Sequence, residues 1–525
     1  MTVVALSTGG RRFVKYCLTG LLNTGVSYAV YGALIALRID AAWALAVSYA
    51  VGMISSWLVN SRWTFGRSRV DGAALRRFAM VNSGILIVSE MSLHLILRDV
   101  TASPYLAQII NLPPVTVGGF MANQLLVFQN AKETARTPAT IGAFRRYLAV
   151  ATGVVIAQRL FVLATETHAA VSHGMRLTLY SLLVSGLAHW DSGWYIQIAR
   201  SGYTTVDQTA FWPVYPWLMG GLHALSGLDL RVSGIVISLV CFVFFLSFLG
   251  LWAEREFGRR TALWTMALIV FFPTAYYFDA VYTESLFLML SAAAVYASQT
   301  RRFKTANALV MIAALTRNTG ILLGLILFFD YIKDRQAGWR FWQRRWWRSL
   351  GFEALYLLLP AAGLAAYCVW LKERFGHYFP FLIAENHHWH RGYMAPWLTS
   401  SNTLHLLFHP QATSLSPDYI RFEMASFAFA VMVLLIGVLY VRKSLGHVGW
   451  WLYLFTVVWI TASEPSFDVP DYLVSLPRYV LMLFPGFIYF ADFLRSNWIR
   501  AALTAALAAV LFITSGIFYR GIWIA

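Results

Sequence analysis

Charged residues are scarce in this chain. Only 12% of its 525 residues are Asp, Glu, Lys or Arg, roughly half the share found in ordinary soluble proteins. Hydrophobic residues make up 59% of the sequence, and the mean hydropathy is +0.60. This composition excludes a soluble globular protein and predicts a membrane protein.

Cysteine is also nearly absent. The three cysteines are Cys17, Cys241 and Cys368, and each lies within or beside an apolar run. Their spacing matches neither a zinc motif nor a disulfide framework. The sequence therefore predicts no cysteine-bound metal and no redox centre.

Long apolar runs are what the sequence does contain. Residues 235–252 and 501–518, for example, are long enough as helices to cross a hydrocarbon core of about 30 Å. They are continuously apolar, whereas the strands of a membrane β-barrel alternate between apolar and polar residues. The predicted fold class is an all-α polytopic membrane protein.

The formal net charge of +17 at pH 7 would suggest a nucleic-acid partner in a soluble protein. Here Arg and Lys collect in short loops between apolar runs, which is the pattern of cytoplasmic loops. The later clusters are Arg255, Arg259 and Arg260; Arg301, Arg302 and Lys304; residues 333–348; Arg442 and Lys443; and Arg495 and Arg500. We expect no nucleic-acid partner, and a multi-pass protein of a bacterial plasma membrane in contact with membrane lipids.

Two domains are predicted. Four apolar runs come first, at about 14–37, 42–60, 78–97 and 105–128, and the basic residues after the second and fourth runs indicate that both ends of this bundle are cytoplasmic. The polar stretch 129–143 indicates a linker. We assign residues 1–135 to a four-span membrane domain and residues 136–525 to a larger one, whose first span at about 147–166 runs outward.

Acidic residues collect on the predicted outer side: Asp191, Asp279, Glu284, Glu385, Glu464, Asp468 and Asp471. The apolar run 305–329 begins and ends beside inner basic loops, so a single crossing would violate the charge rule. Two half-length helices that turn at 317–320 resolve the conflict, and residues 271–273 indicate a second break. Broken helices at membrane depth need surrounding protein or a cavity, so we expect a cavity here.

Five ordered motifs follow the linker: HWDSGWY at 189–195, FWPVYP at 211–216, YTESLF at 282–287, TRNTG at 316–320 and LPRY at 476–479. Together they resemble the PIG-V-type mannosyltransferases over about residues 145–500. That family belongs to the GT-C glycosyltransferases, which take a sugar from a polyprenyl or dolichyl phosphate on the outer side of the membrane. The resemblance implies a transferase that depends on a polyprenyl-phosphate sugar.

Three shorter motifs mark the first domain: FVKY at 13–16, NSRWTF at 60–65 and NQLLVF at 123–128. They resemble a GtrA-type domain over about residues 10–130. Such domains are associated with the passage of lipid-linked sugars across membranes. Whether this one flips, binds or recruits lipid is open at this point.

Asp191 is the candidate catalytic residue. Transfer to a hydroxyl requires removal of a proton as the new bond forms, and a carboxylate in an outer loop suits the role of general base. The alternative is a structural aspartate that caps a helix or closes a turn. The outer topology and the ordered motifs favour the base.

Arg317 and Arg478 are the candidate ligands of the donor phosphate, because guanidinium groups bind phosphate oxygens bidentately and stay charged. Arg317 lies between two apolar half-helices, where an unpaired charge is costly. The alternative is a structural ion pair with a carboxylate such as Glu284. The sequence leaves open whether Glu284 orients substrate or holds Arg317.

The segment 387–390 contains three histidines around one tryptophan. Adjacent side chains point in different directions, so at most two of them can share an ion, and a metal site is the less favoured alternative. The candidate substrate-binding residues are Trp190, Glu284, His387 and His388. Trp194, Tyr195 and Trp212 are left out, because aromatic residues near a membrane interface are more often anchors.

The sequence therefore predicts an inverting glycosyltransferase, with mannose as the favoured sugar. It would move the sugar from a polyprenyl-phosphate donor to a hydroxyl of a glycan or glycolipid acceptor on the extracytoplasmic side. No cofactor is expected, since the lipid-phosphate sugar is a substrate, and a divalent metal is left open. The main rival is a flippase or transporter of lipid-linked sugar without transferase activity, which explains the broken helices but not Asp191. An inactive scaffold subunit is a further rival.

Overall fold

The computed structural model describes residues 141–335, 350–409, 411, 413–441 and 444–524, together with scattered residues between 19 and 82. The four spans predicted for the first domain lie outside the described residues. By its internal packing the chain divides into two compact units, Met1–Ala135 with Val438–Ser444 and Arg136–Gly437 with Leu445–Ala525. The assignment of a four-span bundle to the first unit stays a prediction.

The described part of the chain is built from α-helices connected by short 3₁₀ turns and loops. In chain order these helices are α1 (Ile141–Ser172), α2 (Leu179–Leu183), α3 (Ser192–Ser201), α4 (Val214–Ser226), α5 (Leu230–Phe257), α6 (Arg259–Val270), α7 (Glu284–Gln299), α8 (Phe303–Ala314), α9 (Leu323–Asp334), α10 (Leu359–Phe375), α11 (Pro380–His387), α12 (Pro396–Phe408), α13 (Pro417–Val438), α14 (Leu445–Thr461), α15 (Leu476–Tyr479), α16 (Phe484–Phe493) and α17 (Asn497–Tyr519).

Five helical segments in the described ranges are long and apolar enough to cross a membrane: Ile141–Ser172, Leu230–Phe257, Phe352–Phe375, Pro417–Val438 and Asn497–Tyr519. The predicted span at 147–166 lies within α1, and the apolar runs 235–252 and 501–518 lie within α5 and α17. Beyond the helices, the described residues pair only in isolated bridges, Arg391 with Ser466 and Ser466 with Asp471. The prediction of an all-α polytopic membrane protein is confirmed.

The long helix α5 lies at the centre of the second unit and packs against α1, α6 and α7. In a membrane the hydrophobic effect does not drive helices together, so they associate through close packing, and small residues let their backbones approach one another. A Cβ added at Gly250 of α5 would lie 2.4 Å from Cδ1 of Tyr147 in α1. Likewise, a Cβ at Gly449 of α14 would lie 2.8 Å from the Leu325 carbonyl oxygen of α9. The glycines therefore set the spacing of these helices.

The first predicted helix break lies between α6 and α7. The chain leaves α6 at Phe271, passes Pro273 and forms a 3₁₀ turn over Ala275–Phe278 before α7 begins. Proline has no N–H to continue the helix. A side chain satisfies a backbone carbonyl in this region, because the Thr514 hydroxyl of α17 donates to the Pro273 carbonyl. The break is thus stabilised within protein, as predicted.

The second predicted break separates α8 from α9. Arg317 has an extended backbone (φ −151°, ψ 136°), and a 3₁₀ turn over Asn318–Leu322 leads into α9. Gly320 makes this turn possible, because an added Cβ would lie 2.5 Å from the Ala313 carbonyl carbon. The prediction of two half-length helices that turn at 317–320 is confirmed. The turn directs the Arg317 side chain toward a cavity that Asp191 and Arg478 also line.

Candidate functional site

The break between α8 and α9, the residue before α7 and the loops around α3, α11 and α15 line a cavity of about 430 Å³. All of its lining residues belong to the second unit. Its charged lining residues are Asp191, Arg317, Glu385, Arg391, Glu464 and Arg478. The cavity that the broken helices predicted is present, and three of the predicted site residues line it with their charged groups.

Asp191 lies at the first turn of α3, in the position where a helix-capping residue would stand. Its side chain makes no capping hydrogen bond. Instead, Nη1 of Arg478 donates to Oδ2 of Asp191 at 2.7 Å, and the aspartate side chain remains 20% exposed. The geometry therefore does not support the capping alternative, because the carboxylate is directed into the cavity wall rather than to its own helix.

Glu284 connects the two candidate arginines. Nη1 of Arg317 donates to its Oε1 at 2.6 Å, and Nε of Arg478 lies 3.5 Å from the same oxygen. The Glu284 side chain is 2% exposed. Asp191, Arg478, Glu284 and Arg317 thus form a chain of alternating charge that is formally neutral. The ion pair that the sequence left open for Arg317 is present.

Tyrosines surround this charged chain. The guanidinium carbon of Arg317 lies 5.3 Å from the ring centre of Tyr479, and that of Arg478 lies 5.4 Å from the same ring. The Arg317 Nη1 also donates to the Thr283 hydroxyl at 3.1 Å. Arginine over an aromatic face keeps its charge while its flat surfaces are covered.

Three non-glycine residues next to the site have left-handed backbones: Trp190 (φ 54°), His390 (φ 49°) and Ser475 (φ 64°). Trp190 and Ser475 each precede a short helix of the site, since Asp191 is the N-cap residue of α3 and Arg478 lies in α15. Such conformations cost about 1–3 kcal/mol each and persist only where the surrounding structure fixes them. The fold therefore holds Asp191 and Arg478 against each other at some conformational cost.

A second charged group lies where two loops pair beside the cavity. The Nε of Arg391 is 3.5 Å from Glu385, and backbone bonds join Gly392 to Pro465 and Met394 to Ser463. Burial raises the pKa of Glu385 and of Glu464, while the nearby Arg391 opposes both shifts. Sequence reasoning predicted these two acids only as outer residues and missed Arg391, because it carries no recognisable motif.

The aromatic lining is richer than the sequence analysis allowed. Trp194 stacks on Phe211 with ring centres 5.6 Å apart, and it also contacts His388 and Trp389. On the other side of Asp191, Trp190 contacts Trp523 at 5.5 Å. Trp194 and Trp212 were left out of the predicted substrate-binding residues because they resembled membrane anchors, but both line the cavity. The HWDSGWY pattern itself was the available signal for Trp194.

The two candidate histidines differ in their placement. His388 contacts Trp194, and its Nδ1 lies 3.5 Å from Oδ2 of Asp207. His387, at the end of α11, has no such contact, and both histidines are exposed and lie outside the set of residues that line the cavity. Within the ranges that the structure describes, no group of three or more His, Cys, Asp or Glu residues is placed to hold a metal ion.

Residues 161–333 match the mannosyltransferase (PIG-V) family model, and residues 15–128 match the GtrA/DPMS transmembrane domain. Residues 161–333 are thus similar to the PIG-V mannosyltransferases, and residues 15–128 are similar to the GtrA/DPMS transmembrane domain. Both predicted resemblances are confirmed. The matched PIG-V range includes Asp191, Glu284 and Arg317 but ends before Arg478.

The chain is also similar to several curated proteins. A GPI mannosyltransferase 2 of Yarrowia lipolytica is 25% identical over 236 residues, which is 43% of this chain and 63% of the relative. A GPI mannosyltransferase 2 of Drosophila pseudoobscura is 30% identical over 169 residues, which is 29% of this chain and 37% of the relative. The chain thus spans less than two thirds of either. The uncharacterised membrane protein YngA of Bacillus subtilis is 27% identical over 110 residues, 21% of this chain and 71% of that protein. No solved structure matches the chain.

Proposed function

We propose that this protein is an inverting mannosyltransferase of GT-C type. It transfers mannose from a polyprenyl-phosphate donor to a hydroxyl group of a glycan or glycolipid on the extracytoplasmic side of the membrane. The observation that carries the proposal is the cavity in which Asp191 stands in an ion pair with Arg478, next to Arg317. These groups supply a base for the acceptor and cations for the donor phosphate.

The donor phosphate would lie against the two arginines. Each guanidinium has five N–H donors, and one carboxylate contact leaves the others for phosphate oxygens. The Nε of Arg478, for example, makes no hydrogen bond, although it lies 3.5 Å from Oε1 of Glu284. Because the chain of four charged groups is neutral by itself, a phosphodiester adds one negative charge beside two fixed cations. The polyprenyl tail of the donor would extend into the lipid.

The transfer itself is a single displacement. The acceptor oxygen attacks the anomeric carbon from the face opposite the phosphate, and the bond between that carbon and the phosphate oxygen breaks. The bonding electron pair leaves with the polyprenyl phosphate, whose added charge the arginines stabilise. The acceptor proton passes to Asp191. Because no covalent sugar–enzyme step intervenes, the configuration at the anomeric carbon inverts.

The membrane side is inferred from charge. Arg255, Arg259 and Arg301 lie where α5, α6 and α7 begin or end, at the ends of these helices away from the breaks. Basic loops of this kind favour the cytoplasm. The break between α6 and α7 lies at the opposite ends of those two helices. The loop before Asp191 contacts this break, since the Tyr282 hydroxyl donates to the His189 carbonyl at 3.1 Å, which supports an extracytoplasmic site.

The broken helices also favour a second candidate, a transporter of lipid-linked sugar, because alternating-access proteins use such breaks at their binding sites. The two functions differ in one outcome. A transporter moves the lipid-linked sugar unchanged, whereas a transferase releases free polyprenyl phosphate and forms a new glycosidic bond.

The test is a transfer assay with the purified full-length protein. A synthetic polyprenyl-phosphate mannose is the donor, a panel of mannose- and glucosamine-containing glycolipids supplies acceptors, and NMR of the product gives the anomeric configuration. We expect turnover with inversion, and a loss on the order of a hundredfold or more in Asp191→Asn. Asp418→Asn is the matched control, since Asp418 is 90% exposed in a surface pair. Turnover in Asp191→Asn equal to that of the control would refute the base, and absence of any transfer would favour the transporter.

A further inference from the structure

The segment that follows α17 folds back beside the Asp191 loop. Gly521 has φ +73°, and its N–H bonds the Phe518 carbonyl at 2.8 Å. A glycine with positive φ is the usual way to end a helix and reverse the chain. After this turn, Trp523 lies at the cavity rather than farther along the helix axis.

Contacts with the loop before α3 fix this turn. The Nε2 of His189 donates to the Tyr519 carbonyl at 3.2 Å, and the His189 ring lies 3.6 Å from the position of a Cβ on Gly521. The Tyr519 ring covers Gly186, where an added Cβ would lie 2.3 Å from Cδ2. The segment is therefore attached to the residues immediately before Trp190 and Asp191.

Trp523 is the side chain that this turn delivers to the cavity. Its ring lies 5.5 Å from that of Trp190 at an angle of 73°, and 5.9 Å from the guanidinium carbon of Arg478. An edge-to-face contact of this kind covers one indole with the edge of the other. Two tryptophans that are 333 residues apart in sequence thus form one corner of the cavity wall.

Trp190 is unusually exposed for a residue in such a place. Its side chain is 49% exposed although its backbone is held at φ 54°. Trp194, by contrast, is packed between Phe211, His388 and Trp389. A large apolar face that is held by a strained backbone and left open to a cavity is a surface that a ligand can cover.

We infer that Trp190 and Trp523 form a stacking subsite for a pyranose ring of the acceptor, an assignment that rests on the proposed mannosyl transfer. The apolar C–H face of a pyranose lies on the open indole face, while the sugar hydroxyls remain at the polar side of the cavity. Trp523 positions Trp190 and contributes the second wall of the subsite. Specificity for the acceptor then depends on a residue that lies far outside the matched PIG-V range of 161–333.

Two sugars enter a transferase, and the position of the pair favours the acceptor over the donor. Trp190 is the direct neighbour of Asp191, and the base must touch the acceptor hydroxyl. A ring that stacks on Trp190 therefore lies within reach of that carboxylate. The donor sugar is attached to a phosphate, and its position is set by Arg317 and Arg478 instead.

The test measures sugar binding without turnover, so that its failure is distinct from a failure of the proposed transfer. Saturation-transfer difference NMR with methyl α-D-mannopyranoside is recorded on the full-length protein in detergent. We expect the affinity to fall about three- to tenfold in Trp523→Ala and in Trp190→Ala, the range for loss of an aromatic contact. Trp523→Phe should retain most of it. Trp498→Ala is the matched control, since Trp498 begins the same helix α17 and is 86% exposed.

A second arm separates the two possible sugars. The same spectra are recorded for Asp191→Asn with saturating polyprenyl-phosphate mannose, a variant in which transfer would not consume the probe. Binding of the mannoside that persists beside the donor supports an acceptor subsite. Binding that the donor abolishes would assign the subsite to the donor sugar and overturn the inference. Equal affinity in Trp523→Ala, Trp523→Phe and the control would overturn it as well.

Discussion

The ion pair between Arg317 and Glu284 offers the sharpest test of the charged chain in the cavity. Its atoms are 2.6 Å apart, and the two side chains are only 12% and 2% exposed. Glu284→Gln keeps the shape of the side chain but leaves Arg317 without its carboxylate. Removal of one partner of a buried pair costs about 3–5 kcal/mol, so we expect a loss of unfolding free energy of that order.

The reciprocal change should cost less. In Arg317→Met, Glu284 still lies 3.5 Å from Nε of Arg478, so its charge remains partly compensated. The expected loss is about 1.5–3 kcal/mol, the value of a hydrogen bond to a charged group. The double variant leaves Asp191 and Arg478 as a neutral pair. It should therefore be more stable than the sum of the single changes predicts, with a coupling energy of about 2–3 kcal/mol.

The assay is equilibrium unfolding of the full-length protein in mixed micelles, followed by circular dichroism, for all four members of the cycle. The surface pair of Arg421 and Asp418 provides the control. Its atoms are 2.7 Å apart, but the side chains are 65% and 90% exposed, so we expect a coupling energy below about 1 kcal/mol. Equal coupling in the two cycles, or a Glu284→Gln variant more stable than Arg317→Met, would refute the reasoning.

Three further predictions concern other parts of the site. Arg478→Ala should weaken the binding of polyprenyl phosphate while the affinity for the dephosphorylated lipid stays unchanged; unaltered discrimination between the two lipids would show that the residue does not bind the phosphate. Gly320→Ala should lower the melting temperature and the transfer rate, because its Cβ would lie 2.5 Å from backbone atoms, whereas Gly324→Ala in α9 meets nothing within 4 Å and should change neither. Burial lowers the pKa of His189 from its ordinary value of 6.5, so the folded state favours the neutral ring. The contribution of His189 to stability is present above pH 6.5 and is lost as the pH falls below it. On acidification, the melting temperature of His189→Gln should therefore decline less than that of the wild type. An equal decline of the melting temperature with pH in both proteins would contradict this.

Much of the architecture could be predicted because it is local in sequence. The spans follow from the length of apolar runs, and α5 and α17 contain the runs 235–252 and 501–518. The break at 317–320 followed from a conflict between run length and loop charge, and Gly320 provides the backbone freedom for it. The order of the motifs identified Asp191 and the two arginines as candidates. It did not show that the three residues lie close together.

The contacts between distant residues were not predictable in the same way. Arg478 and Asp191 are 287 residues apart, and their pairing depends on how α15 is rotated and how the Asp191 loop is held. Arg391 and Trp523 were missed because neither belongs to a motif, although both line the cavity. His387 was chosen with His388, yet only His388 contacts an aromatic residue of the lining. Neighbours on a helix point in different directions, and the sequence does not state which direction faces the site.

Hydrophobic run length and loop charge thus determined, from the sequence by itself, that this chain is a helical membrane protein with broken helices, and they predict that its acidic loops lie on the outer side. These properties depend on the transfer of each segment between water and lipid, which is set by the residues of that segment. The tertiary structure alone decided which charges neutralise one another and which tryptophans share a wall. Those outcomes depend on the packing of helices such as α1, α5 and α17, where single glycines and side-chain orientations fix distances that no local pattern encodes.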